Sequence, residues 1–269
     1  MTTVDPTAWD PVLADARAHA ARGDNRPASH LLAELLRELD PATTEPDHQV
    51  LAVAALYLTV SEPDTDDLGE RPDEVAWARH AVQTARTLYG VYHPNTIDVT
   101  ELLASHLSDR GHDREADQVR QQLIALHIER GAVSESFWAR LELAWQWHGR
   151  GQCRDAHRGA EQIWQEWTAR FGDTGRLSAL IALQVSGMLR ACGRTAEAHP
   201  YLDIADRPIP ARDDPRRDAY ATYLLAFCVA AIDHQLTCAF THDDLPSSTS
   251  RTAEDTVHAN VSGSPGDAG

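Results

Sequence analysis

A glycine followed five residues later by an alanine recurs along this chain, and each pair interrupts a stretch of helical character. The segment SDRGHDREADQVRQQL, residues 108–123, contains one such pair, Gly111 and Ala116. An isolated glycine inside a helix costs about 1 kcal/mol relative to alanine, so the pair is better explained as the end of one helix and the start of the next. The pairs are Gly23–Ala28, Gly111–Ala116, Gly151–Ala156 and Gly193–Ala198.

The pairs recur at a nearly constant interval. The last three glycines are 40 and 42 residues apart, and the gap of 88 residues from Gly23 to Gly111 corresponds to two units of 44. Each glycine is also preceded, seven positions earlier, by a small residue. These small residues are Ala16, Ala104, Ala144 and Ser186. Self-similarity at a period between about 20 and 50 residues is typical of a solenoid of stacked units.

The pairs suit antiparallel helices. Glycine can end a helix in the left-handed conformation, and a small residue on either side lets two helices approach closely. Because apolar residues otherwise recur at helical spacing and alternation of period two is almost absent, we expect an all-α chain. The predicted helix pairs are 7–22 and 25–39, 46–60 and 72–89, 94–110 and 113–130, 134–149 and 153–170, and 174–191 and 194–206, followed by a last helix at 214–238.

This pattern of small residue, glycine and alanine resembles the tetratricopeptide repeat, over roughly residues 7–206. The unit is longer than the usual repeat of about 34 residues, and is similar to the repeats of kinesin light chains and many bacterial regulators. LYGVYHPNT, residues 88–96, resembles the loop between such repeats, and RFGDTGRL, residues 170–177, is a weaker echo. The resemblance implies a right-handed superhelical solenoid of about five repeats plus a terminal helix.

Two segments depart from the pattern. The second unit, around 46–89, has no glycine–alanine pair, and the acidic stretch SEPDTDDLGERPDE, residues 61–74, stands in place of its turn. From residue 241 the chain is rich in Ser, Thr, Gly and acidic residues, a composition that cannot bury enough apolar surface to fold. We therefore predict a repeat domain at 1–240 and a disordered tail at 241–269.

Composition excludes several classes of function. The formal charge of −17 and the absence of a dense basic patch disfavour nucleic acid and anionic membranes as partners. The chain has no lysine, which excludes a Walker-type phosphate loop and Schiff-base chemistry. No catalytic motif is found, so we expect no cofactor and no enzymatic activity. Scattered cysteines, no secretory signal and an Arg- and Ala-rich composition favour a cytoplasmic, bacterial protein.

The resemblance implies that the concave face is lined by the first helix of each repeat. The implied partner-binding positions are Asp98, Glu101 and Ser105, then Trp138, Leu141, Trp145 and His148, and then Leu180, Leu183 and Arg190. Trp138 and Trp145 are seven residues apart and hence on one helix face, where they suit either an aromatic anchor for a partner or packing of the repeat. For Trp147 and Trp164 we favour packing.

Histidines and cysteines gather near the turns, which stacking brings to one edge. HGRGQCRDAH contains His148, Cys153 and His157, which are residue types that zinc accepts, and Cys192 lies near the next turn. However, the tight Cys or His pairs of known zinc motifs are absent. We therefore expect no metal site and treat the histidines as solvated.

The predicted last helix contains YATYLLAFCVAAI, residues 220–232, which is apolar nearly all round. It suits either a cap folded on the fifth repeat or a homodimer interface. That interface would use Tyr220, Tyr223, Leu224 and Phe227.

Together these features predict a non-enzymatic adaptor that binds a protein or peptide in its groove. The negative charge favours a basic partner through electrostatic steering. Two alternatives stay open: a regulatory sensor for a signalling peptide or small apolar ligand, and a structural homodimer.

Overall fold

The computed structural model describes residues 9–61, 71–205 and 238, and over these ranges the chain is all-α. The helices are α1 (Asp10–Ala21), α2 (Asn25–Arg37), α3 (His48–Val60), α4 (Glu74–Tyr89), α5 (Pro94–Asp109), α6 (Asp113–Glu129), α7 (Val133–Gly149), α8 (Cys153–Phe171), α9 (Arg176–Ala191) and α10 (Thr195–Ala205). The all-α prediction and the five helix pairs are confirmed. The predicted helix at 214–238 and the tail at 241–269 lie outside the described residues, apart from Cys238.

The repeated glycines end the first helices of their pairs in the left-handed conformation. At Gly111, φ is 76°, its N–H donates to the carbonyl of Ser108 at 3.0 Å, and the next N–H, of His112, donates to Leu107 at 2.8 Å. Together the two bonds form a Schellman motif, which satisfies carbonyls that a helix end leaves without partners. The same two bonds occur at the other repeated glycines, Gly23, Gly151 and Gly193.

The small residues of the repeat are almost completely buried. The four alanines that follow the glycines are 0% exposed, as are Ala16 and Ser186, while Ala104 and Ala144 are 2% and 1% exposed. A larger side chain at these positions would push the paired helices apart, because protein interiors are closely packed. The small size of these side chains therefore allows the two helices of a pair to pack closely.

Two loops between repeats share a positive-φ glycine whose carbonyl accepts a hydrogen bond from a side-chain hydroxyl. Gly90 and Gly172 both have a positive φ, of 87° and 80°. Six residues later, the hydroxyl of Thr96 donates to the Gly90 carbonyl at 2.8 Å, and that of Ser178 donates to the Gly172 carbonyl at 3.2 Å. The segment that only weakly echoes the first loop therefore makes the same turn, with serine in place of threonine.

The chain divides into two compact units, with the division between Arg140 and Leu141 inside α7. In the first unit, α3 is at the centre of the core: it packs against α2 and α4, and also contacts α1 and α5. Its largest buried side chain is Tyr57, which is 1% exposed. In the second unit, α9 packs against α8 and α10. Within the described residues, no helix is both long and apolar enough to cross a membrane.

We expect replacement of Gly111 by alanine to destabilise the chain by about 1–2 kcal/mol, because a Cβ atom is strained at a positive φ. Nothing lies within 4 Å of the Cβ that the substitution adds, so steric contact adds no cost. Urea denaturation of the full chain measures the effect.

Gly149→Ala is the matched control. Gly149 lies at the end of α7, has no positive φ and also has open space around an added Cβ. Alanine at this position should leave stability unchanged or raise it slightly. Equal stabilities of the two variants would contradict the role assigned to the left-handed turn.

Candidate functional site

The first helix of the third repeat carries exposed polar side chains at the predicted partner-binding positions. Asp98, Glu101 and Ser105 are all exposed on α5, whereas Val99 and Leu103 of the same helix are buried. The offsets of three and four residues place the exposed group on one face of the helix. This face of α5, defined by Asp98, Glu101 and Ser105, is called the acidic face below.

The predicted positions on α7 differ from one another in burial. Trp138 and Trp145 are partly buried, whereas Leu141 is 2% and His148 is 7% exposed. The Trp145 ring meets the His148 ring nearly edge-on, with centroids 5.4 Å apart. The indole N–H of Trp145 is buried and has no hydrogen-bond acceptor among the described residues. Trp145 therefore offers a partly accessible apolar ring, while its indole N–H is out of a partner's reach.

Neighbouring tryptophans pack within the second unit. Trp164 lies edge-to-face with Tyr201, with centroids 5.8 Å apart, and the indole N–H of Trp167 donates to the Ser178 hydroxyl at 2.9 Å. The Trp147 ring packs near Gly159, because a Cβ atom added to this glycine would lie 3.5 Å from the ring. These contacts suit the packing role that the sequence favours for Trp147 and Trp164.

The predicted positions on α9 are mostly inside the protein. Leu180 and Leu183 are 1% and 4% exposed, and Arg190 is partly buried. Together with Leu141 and His148, these leucines are core residues, which a partner cannot reach without rearrangement. The positions that retain accessible surface are Asp98, Glu101, Ser105, Trp138, Trp145 and Arg190. The predicted interface residues Tyr220, Tyr223, Leu224 and Phe227 lie outside the described residues.

A buried carboxylate in the first unit joins three helices. Glu74, the first residue of α4, is 4% exposed, and its Oε2 accepts a hydrogen bond from Arg110 at 2.9 Å. The same oxygen lies 3.5 Å from Nδ1 of His106, whose Nε2 donates to the Leu58 carbonyl of α3 at 2.9 Å. Arg71 lies 3.9 Å from the other oxygen of Glu74.

The pKa values of this cluster shift in opposite directions. Burial opposes ionisation of Glu74, but the hydrogen bonds from His106 and Arg110 outweigh it and lower the pKa of Glu74 to about 2. For His106, burial lowers the pKa, and the hydrogen bonds to Glu74 and Leu58 more than compensate, so that the pKa is raised above 6.5. Each charge stabilises the other, which is the signature of a structural ion pair.

A small cleft lies between α4, α5 and α6 in the first unit. Its volume is about 220 Å³, and its lining includes Val82, Leu103 and Val119. Arg79 on one side donates to both carboxylate oxygens of Glu115 on the other, each at 2.8 Å. Clefts that enclose drug-sized ligands typically measure about 300–1,000 Å³, so this cleft is too small for such a ligand.

A group of sulfur and nitrogen ligand atoms meets at the turns of the second unit. One ring nitrogen of His148 and the sulfurs of Cys153, Cys192 and Cys238 all lie within 4.8 Å of one another. Sequence analysis identifies three of these residues, His148, Cys153 and Cys192, because they flank the repeat turns. Cys238 was missed as a ligand, since it follows Cys192 by 46 residues and belongs to no repeat.

Burial raises the pKa of two of these thiols, those of Cys153 and Cys192. Burial, followed by hydrogen bonding to Cys238, raises the pKa of Cys153. Burial, followed by the charge of Cys153, raises the pKa of Cys192 far above its ordinary value. His157, whose ring centroid lies 6.1 Å from that of His148, stays outside the group and pairs with Arg194 at 2.8 Å.

Comparison with solved structures identifies the fold. The chain matches a crystal structure of a Podosopora anserina putative kinesin light chain with nearly identical TPR-like repeats, with a TM-score of 0.57 and 16% sequence identity over 74% of this chain and 94% of that one. A single-substitution variant of the same protein matches with the same score and identity, over 76% and 95% of the two chains. No protein-family model and no curated protein matches the sequence. The chain therefore has the tetratricopeptide-like helical-repeat fold that its sequence predicts.

The Glu74 cluster should make stability depend on pH in both directions. The depressed pKa of Glu74 adds stability above its ordinary value of 4.5, and this is lost as the pH falls toward about 2. The raised pKa of His106 adds stability below 6.5, and this is lost as the pH rises through the raised value. Wild type should therefore exceed Glu74→Gln most between pH 4.5 and 6.5, by on the order of 3 kcal/mol.

Urea denaturation of both chains across this pH range measures the difference in free energy of unfolding. Glu115→Gln is the control, because Glu115 forms a half-exposed ion pair with Arg79. Loss of such a pair costs below about 1 kcal/mol. A difference between wild type and Glu74→Gln that does not vary with pH would contradict the assigned ion pair.

Proposed function

We propose that this chain is a non-enzymatic helical-repeat adaptor that binds a basic protein or peptide. The observation that carries the proposal is the acidic face of α5, where Asp98, Glu101 and Ser105 are exposed while the scaffold residues of the same helix are buried. Exposed side chains on one helix face can contact a partner. Stacked helix pairs commonly use such surfaces for binding.

A macromolecular partner suits this surface better than a small ligand. The acidic face follows α5 for two helical turns and is not enclosed, whereas the cleft beside it holds only about 220 Å³. An extended peptide makes many contacts along an open face. In the same unit, the partly buried ring of Trp138 on α7 supplies aromatic surface of the kind enriched in binding hot spots.

Electrostatics favours a basic partner. The chain carries a formal charge of −17, and two of the three residues that define the acidic face are carboxylates. Charge of one sign steers a partner of the opposite sign toward the surface and raises the association rate. Such attraction weakens as added salt screens it.

In the part of the chain that the structure describes, the carboxylate with a strongly lowered pKa is engaged in structure. Glu74 has a strongly shifted pKa, yet it is held by His106 and Arg110 inside the first unit. The chain has no lysine to act as a nucleophile. These features support a non-enzymatic role, and cysteines that form no disulfide, such as Cys153 and Cys192, suit the reducing cytoplasm.

Neutralising the acidic face should weaken binding of basic peptides. We expect Asp98→Asn combined with Glu101→Gln to raise Kd about fivefold, because each exposed charge pair contributes about 0.5 kcal/mol. The measurement selects a displayed random peptide library on the wild-type chain and determines Kd values for the enriched peptides at low and high salt. Selected peptides should be rich in Arg and Lys, and their affinity should fall with salt.

Glu38→Gln combined with Glu45→Gln is the matched control. Both residues are exposed in the first unit, lie outside the acidic face, and remove the same number of charges. The control should retain wild-type affinity apart from a small long-range effect. Enrichment of peptides without basic residues, or equal weakening by the two double variants, would contradict the proposal.

A further inference from the structure

The ligand atoms at the turns of the second unit have the spacing of a metal centre. Nε2 of His148 lies 3.1 Å from the sulfur of Cys192, and the sulfurs of Cys153 and Cys238 are 3.6 Å apart. Zinc binds thiolates at about 2.3 Å and imidazole at about 2.0–2.1 Å, so the edges of a tetrahedral site measure about 3.8 Å between sulfurs and about 3.6 Å from sulfur to nitrogen. Small shifts of the side chains would bring all four atoms onto one ion.

The chemistry of the ligands also favours zinc. Three cysteines and one histidine form a Cys₃His set, which is one of the common sets in structural zinc sites. Thiolates and imidazole select zinc over magnesium, calcium and manganese, which prefer oxygen ligands. Four protein ligands complete the tetrahedron, and His148, Cys153 and Cys192 are all buried. Such a site has no open position for a substrate and is therefore structural.

The repeat turns place the first three ligands. His148 lies in the last turn of α7 and Cys153 is the first residue of α8. The turn between them is fixed by Gly151, whose N–H donates to the His148 carbonyl at 3.0 Å. Cys192 occupies the corresponding turn of the next repeat, directly after α9. Stacking of repeats thus brings two neighbouring turns to one edge.

The fourth ligand is held in place by the backbone. The N–H of Cys238 donates to the carbonyl of Ala191 at 2.8 Å, next to Cys192. This bond positions the Cys238 sulfur independently of any ion. The sulfur of Cys238 then lies 3.6 Å from that of Cys153, which is 85 residues away in the sequence.

We propose that His148, Cys153, Cys192 and Cys238 form a closed structural zinc site that fastens the chain at Cys238 to the turns of the last two repeats. Its four residues belong to the second unit, whereas the acidic face belongs to the first. The site also gives His148, a predicted partner-binding residue that is only 7% exposed, a role inside the protein.

Metal analysis of the full chain, produced without a histidine tag in zinc-supplemented medium, tests the site. We expect about one zinc ion per chain in wild type. After zinc removal under reducing conditions, Co²⁺ should produce the intense visible bands and the sulfur-to-metal charge-transfer band of tetrahedral cobalt thiolate. Zinc removal by a chelator should lower the Tm, and zinc addition should restore it.

The variants include matched controls for both ligand types. Cys238→Ser and His148→Gln should lose most of the bound zinc and the cobalt spectrum, whereas Cys228→Ser and His199→Gln should retain both. Because Cys238 lies outside the ten described helices, its replacement leaves the repeat core intact, and circular dichroism verifies this.

Three results would overturn the proposal. One is a reduced wild-type chain that takes up neither zinc nor cobalt. Another is equal metal binding by Cys238→Ser and Cys228→Ser. The third is a Cys153–Cys238 disulfide in the purified chain that, once reduced, leaves a protein without metal affinity.

Discussion

The structure depends on close approach of paired helices at alanines that are fully buried. Ala28, Ala116, Ala156 and Ala198 are 0% exposed, and each follows a left-handed glycine by five residues. The glycine reverses the chain, and the alanine then allows the second helix to lie against the first. Both requirements are local, so they recur in four of the five helix pairs.

This locality explains how much of the fold could be predicted from the sequence. A left-handed turn demands glycine and a close contact demands a small side chain, so Gly111 and Ala116 can be recognised without any partner in space. The turn between the two helices follows from such signals in four of the five pairs, and only the second pair lacks them. The loop at Gly172 was only a weak echo because Gly175 and Arg176 stand where the first loop has His93 and Pro94. The hydroxyls of Thr96 and Ser178 nevertheless make the same bond.

The sites were harder to predict because they join residues that are distant in sequence. The ion pair of Glu74 with His106 spans 32 positions, and its bond from His106 to Leu58 spans 48. Positions chosen at fixed offsets from the turn glycine are exposed on α5. On α9, the same offsets fall on Leu180 and Leu183, which are buried in the core. These offsets from the turn glycine apply to a first helix that has one side open to solvent. They fail on α9 because α9 has buried residues on nearly every side.

In the second unit, the hydrogen bonds that form the repeat turns also position the proposed metal ligands. The bonds that end α7 and α9 also fix the backbone that bears His148 and Cys192. Ligands fixed in this way lose little conformational entropy when an ion binds, which favours affinity. Cys238 is the exception, because a bond to Ala191 rather than a repeat turn holds it. An ion at this edge would therefore add to the scaffold a long-range link that the repeats, which contact only their neighbours, cannot supply.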